Sequence, residues 1–176
     1  IGDPLYRPFA VPFGDQWKNL GQLPPRLAGY AALRRMHQLD AENRHDEATA
    51  FAEKAQREAP SLAVGVALAR RLHDAGDSDG AVRALGFAPH LKSFPSDQWA
   101  LARDAALFFE TAGQPAQAVN VWKNILATSM LPRELREPWL ADAKKAALAA
   151  HDAEQADAWQ KQLDAFTAPP PAPEKK

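Results

Sequence analysis

From Leu27 to Phe166 the apolar residues recur every three or four positions, the spacing of one helix face and not the alternation of a half-buried strand. In the first run Leu27, Tyr30, Ala31, Leu33 and Met36 carry the stripe as far as Leu39. Asn43 and Asp46 interrupt it, and a second run from Ala48 to Ala59 is closed by Pro60. Ser61 stands where a hydroxyl caps a third helix, which reaches His73. After the turn DAGDSDG a short fourth run starts at Ala81 and is limited near Phe87 by Gly86 and Pro89. Beyond HLKSFPSDQW the pattern predicts four more helices. They run from Ser96 or Asp97 to Thr111, Pro115 to Thr128, Arg133 to Ala150, and Ala153 to Phe166. Pro115 occupies a first-turn position, where its missing N–H costs nothing. Eight helices with short links and hardly any candidate strand predict an all-α protein of antiparallel helix pairs.

The two ends read differently. The first 25 residues hold five prolines and three glycines, so residues 1–26 form an extended or turning N-terminal extension. Tyr6, Phe9, Phe13 and Trp17 within it predict packing along the helical body. Residues 168–176 close the proline-rich stretch TAPPPAPEKK, a tail with no partner for its backbone. Residues 27–167 are the helical domain.

The turns between helices repeat. AGDSDGA (75–81) and AGQPAQA (112–118) share a leading Ala-Gly and an alanine six residues later. AHDAEQA (150–156) keeps both alanines, and ENRHDEA (42–48) keeps the last. The closing alanines are 48, 81, 118 and 156, with gaps of 33, 37 and 38 residues. Helix–turn–helix units at such a period build solenoids. The chain resembles the tetratricopeptide repeat family, in which a small residue lies seven before a turn glycine and a bulky one four before it. An alanine follows five after the glycine, with a large residue four further on. In the third unit these are Ala106, Phe109, Gly113, Ala118 and Trp122, and in the second Ala69, Leu72, Gly76, Ala81 and Leu85. In the first they are Met36, Leu39, Asn43, Ala48 and Ala52, with Pro60 as the closing proline. The fourth departs from the pattern, with Lys144 for the small residue and His151 for the glycine, although Ala147 and Ala156 persist. The resemblance implies a right-handed superhelix of helix pairs, a TPR-like α-solenoid; a bundle of hairpins without superhelical stacking is the alternative.

Composition agrees with close helix packing: 46 % of residues are hydrophobic, most of them alanine and leucine. A net charge of -1 without a basic stripe gives no reason to expect nucleic acid as a partner. The absence of cysteine removes disulfides, thiolate chemistry and cysteine zinc sites. No apolar run is long enough to span a membrane. The non-methionine start, the lack of cysteine and the proline-rich ends favour an exported, periplasmic bacterial protein over a cytoplasmic adaptor.

Candidate chemistry is sparse. The five histidines show no HExxH or His-x3-His spacing, so no metal is expected. The serines lie near turns or helix starts, where they cap backbone N–H groups, and neither a G-x-S-x-G elbow nor a phosphate loop occurs. Asp104 with Glu110 and Glu134 with Glu137 read as solvated surface, and the doublets Arg34-Arg35 and Arg70-Arg71 read as ordinary helix surface or a local recognition patch. The sequence therefore predicts a non-catalytic protein that needs no cofactor.

What remains is binding. In tetratricopeptide proteins the first helix of each pair lines a concave groove that holds a partner peptide. Carrying those positions across gives Tyr30, Leu33, Arg34, His37 and Asp40 from the first unit. The second supplies Val66, Arg70 and His73, the third Arg103, Asp104, Leu107 and Glu110, and the fourth Asp142 and Lys145. An arginine on each of the first three units suits a carboxylate or the backbone carbonyls of a peptide. The paired lysines and asparagines of the clamp for a chain-terminal carboxylate are missing. The expected function is a protein–protein interaction module that recruits or organises a partner. The alternative is an accessory subunit of a larger complex, and a small-ligand binder or enzyme would need a deep pocket between helices.

Overall fold

A computed structural model describes residues 20–167 together with Lys18, the side chains of Pro25, Arg26 and Thr167 excepted. Tyr6, Phe9, Phe13, Trp17 and the proline-rich tail lie outside the described residues. Within them the chain is all-α, with eight α-helices and no strand. In order they are α1 (Pro25–Ala41), α2 (His45–Glu58), α3 (Leu62–Asp74), α4 (Ser78–Leu85), α5 (Trp99–Thr111), α6 (Pro115–Leu126), α7 (Arg133–Ala149) and α8 (Ala153–Thr167). Short 3-10 turns at Ala88–His90 and Ser96–Gln98 lead into α5.

The helices match the eight read from the pattern, and the differences have local causes. Helices α2 and α4 begin three residues earlier than their apolar stripes, because His45, Asp46 and Glu47, and Ser78 to Gly80, form a first turn without a large apolar residue. Asp77 makes that start possible in α4: its Oδ1 accepts the Gly80 N–H at 2.8 Å. Ser61 caps α3 as expected, its Oγ accepting from Val64 N at 3.3 Å.

The chain divides into two compact units between Phe87 and Ala88. The first unit holds the hairpins α1–α2 and α3–α4, and α3 packs on both α1 and α2 as well as on its own partner. Small residues make that approach possible. A β-carbon on Gly65 would come within 3.0 Å of Gln56 Nε2 and 3.1 Å of Ala84 O, so α3 lies almost in backbone contact with the end of α4. Gln56, a buried polar side chain, spans the junction. Its Nε2 donates to Ala84 O at 2.9 Å and its Oε1 accepts from Ser61 N at 3.1 Å. In the second unit α5 pairs with α6 and α7 with α8, while α6 also packs on α7. Its core centres on the fully buried Phe109, Trp122, Ile125 and Leu140, and the rings of Trp122 and Trp139 lie 6.3 Å apart.

One turn recurs in all four hairpins. The second residue after the first helix has a left-handed backbone: Asn43 (φ 59°), Gly76 (φ 85°), Gly113 (φ 69°) and His151 (φ 57°). Around each, two hydrogen bonds close the helix end as a Schellman motif. The N–H groups of Arg44, Asp77, Gln114 and Asp152 reach back to the carbonyls of Leu39, Leu72, Phe109 and Ala147 at 2.8–2.9 Å. Those of the left-handed residues themselves reach Asp40, His73, Glu110 and Leu148 at 2.9–3.2 Å. Five residues after each left-handed position stands one of the closing alanines, and Ala48, Ala81, Ala118 and Ala156 are all buried. A larger side chain there would separate the two helices just where the turn brings them together.

Candidate functional site

The residues carried across from the repeat pattern lie on α1 and α3 in the first unit and on α5 and α7 in the second. On α1, Tyr30, Leu33, Arg34 and His37 share a face at helical spacing; Tyr30 and His37 are exposed, Leu33 and Arg34 half-buried. On α3, Arg70 and His73 are exposed. Val66 is not, at 5 % exposure, and so drops out of the surface: where α3 crosses the hairpin α1–α2, this position belongs to the core.

Asp40 has a structural role. It accepts a charged hydrogen bond from the Arg71 guanidinium, and its other oxygen lies 3.0 Å from His45 Nδ1. Arg71 also donates to His45 O at 3.0 Å and reaches Thr49 Oγ1 at 3.4 Å, so one side chain on α3 ties the end of α1 to the start of α2. The guanidinium holds the Asp40 carboxyl below the usual aspartate range, against the opposing effect of burial, with His45 adding to the shift. Sequence reading treated Arg71 as one half of a surface doublet. The signal it overlooked is position, since Arg71 falls in the last turn of α3, where side chains reach neighbouring helix ends.

In the second unit α5 and α7 bring four of the expected residues together. Asp142 Oδ2 lies 3.7 Å from an Arg103 terminal nitrogen and Asp142 Oδ1 lies 3.6 Å from Lys145 Nζ. Arg103 Nε is buried and has no hydrogen-bond partner among the described residues. Glu110, two turns along α5, accepts the indole N–H of Trp122 at 3.0 Å. Burial raises the Glu110 carboxyl above the usual glutamate range; the indole bond pulls it back, Asp142 raises it further and Lys145 lowers it. Asp104 and Leu107 are half-buried beside them on α5. The Trp122–Glu110 bond was not foreseen, although a fully buried tryptophan requires an acceptor for its N–H.

The cluster is chemically modest. It offers cations, carboxylates and an unused arginine donor, and holds neither a nucleophile next to a base nor a phosphate cradle. Among the described residues no group of three histidines or carboxylates could hold a metal ion, and no helix is long and apolar enough to cross a membrane. Ion pairs as open as these contribute roughly 0–1 kcal/mol each to stability, so little is lost when a ligand exchanges them. In comparison with known proteins, no family model, no curated protein and no solved structure matches the chain.

Proposed function

We propose that the chain is a non-catalytic binding module, a TPR-like helical repeat whose first helices receive a segment of a partner protein. The observation that carries this reading is the Arg103–Asp142–Lys145 cluster on α5 and α7. Arg103, with a buried Nε that has no partner among the described residues and a loose 3.7 Å ion pair, gains by donating to a peptide carboxylate or carbonyl. The recurrent turn supports the repeat character, because the same left-handed residue, paired hydrogen bonds and buried alanine close all four hairpins. The first unit carries arginines of its own on its first helices, Arg34 on α1 and Arg70 on α3.

The test is affinity capture from the native source with the full chain and with Arg34→Glu, Arg70→Glu and Arg103→Glu, after circular dichroism has shown that each variant keeps its helices. The expected result is loss of a specific partner with at least one reversal, most strongly Arg103→Glu. An unchanged partner set in all three removes the first-helix surface from consideration. A stoichiometric complex that survives every reversal supports the accessory-subunit reading instead.

A further inference from the structure

The first unit also holds a cleft that none of the candidate partner-binding residues lines. Helices α2, α3 and α4 enclose a cleft of about 350 Å³, at the small end of the roughly 300–1,000 Å³ typical of small-molecule sites. Its apolar floor comes from Leu68, Leu72 and Ala84. Gln56 fixes one wall, both ends of its amide being committed to Ala84 and Ser61. Asp77 is committed as well, to the start of α4.

Three charged side chains on the rim are not committed. Glu53 and Arg57 stand one turn apart on α2, and Arg83 projects from α4. None of them has a hydrogen-bond or ion-pair partner among the described residues. Glu53 and Arg57 have the i, i+4 spacing that ordinarily pairs, yet both line the cleft without joining. Two guanidiniums with one free carboxylate over an aliphatic floor define a complementary molecule. It carries a carboxylate for the arginines, an ammonium for Glu53 and an aliphatic side chain for Leu68 and Leu72. A phosphate or other polyanion would meet the negative charge of Glu53 and Asp77 on the same walls.

We propose that this cleft is a binding site for a free aliphatic amino acid, whose carboxylate is held between Arg57 and Arg83 and whose ammonium is held by Glu53.

The test is NMR titration of the full chain with L-leucine, L-leucinamide, N-acetyl-L-leucine and inorganic phosphate. It follows the Arg57 and Arg83 side-chain Nε–H signals and the Gly80 amide. Leucine should shift all three and saturate at or below the millimolar range, and each blocked analogue should bind about tenfold more weakly through its lost charge. Arg57→Gln and Arg83→Gln, both at exposed positions, should each weaken leucine about tenfold with the helices unchanged by circular dichroism. Glu53→Gln should weaken leucine while leaving N-acetyl-L-leucine unaffected, a selectivity that general loosening of the fold would not produce. The proposal is overturned if leucine causes no shift up to about 10 mM, or if phosphate shifts these signals as strongly as leucine. Equal binding of leucine by the three variants and the wild type overturns it too.

Discussion

The position after each first helix shows how much a single residue contributes. Asn43, Gly76, Gly113 and His151 all have positive φ, a conformation that costs a residue with a β-carbon roughly 1–2 kcal/mol. A β-carbon added at Gly76 or Gly113 would meet no atom within 4 Å, so the cost of substitution there is conformational and not steric. Gly76→Ala and Gly113→Ala should each lower the unfolding free energy in urea by about 1 kcal/mol. His151→Gly should raise it by a few tenths to about 1 kcal/mol, since it relieves the same left-handed backbone. Gain at one site and loss at two others would show that one turn geometry underlies all four hairpins; a stabilising Gly113→Ala would contradict it. Two of these positions were legible as glycines. The other two emerged only by aligning the closing alanines, because asparagine and histidine carry no comparable signal. Gln56 was not legible at all. A glutamine among alanines on a helix looks like surface until its carbonyl and amide partners, Ser61 and Ala84, are brought in from two other elements. Gln56→Leu should cost about 1–3 kcal/mol, read by the same denaturation, by stranding a buried carbonyl and an N–H.

At the scale of elements, the helices were readable because apolar periodicity survives even in alanine-rich segments. The starts of α2 and α4 were not, because their first turns are polar, whereas α6, α7 and α8 begin at the Pro115, Arg133 and Ala153 read from the pattern. The long-range fasteners were least readable. Arg136, in the first turns of α7, donates to Leu126 O at 3.0 Å and to Thr128 O, covering the C-terminal carbonyls of α6. A cation at that end also opposes the negative pole of the helix dipole. Nothing in the local sequence separates this arginine from its neighbour Arg133, which instead packs over the Phe166 ring at 5.2 Å and donates to Phe166 O. Arg136→Met keeps much of the apolar stem and removes the donors. It should destabilise the protein by about 1–2 kcal/mol and speed amide exchange at the end of α6 more than in α5. The candidate surface was legible to a similar degree. Carrying the repeat positions across brought out Arg103, Glu110, Asp142 and Lys145, which the structure gathers, but it counted the buried Val66 as outward. Periodicity assigns a face, and only the crossing helix decides whether that face is covered.

For the whole molecule, the two units carry carboxylates whose shifts run in opposite directions. In the first unit Asp40, faced by Arg71 from α3 and His45 from α2, titrates below its ordinary range. Exposed Glu47 is lowered in the same sense by Arg44. A depressed folded-state value means stability that is present above the unfolded value, near 3.9 for aspartate, and lost as pH falls through the folded one. In the second unit Glu110, faced by Trp122 from α6 and by Asp142 and Lys145 from α7, titrates above its ordinary range. Its contribution is fully present below the unfolded value, near 4.3, and is lost as pH rises through the folded one. Acidification from neutral pH towards 3 should therefore loosen the first unit before the second. Residue-resolved hydrogen exchange should show protection falling first in α1 and α3 while α5 and α6 hold. Asp40→Asn should flatten the pH dependence of exchange in the first unit, and Glu110→Gln should flatten it in the second by removing a group that favours the acid form. If the two units lose protection together at every pH, with both variants following the wild type, these two carboxylates do not govern the acid response. Loss of protection in the second unit first would reverse the sign assigned to Glu110.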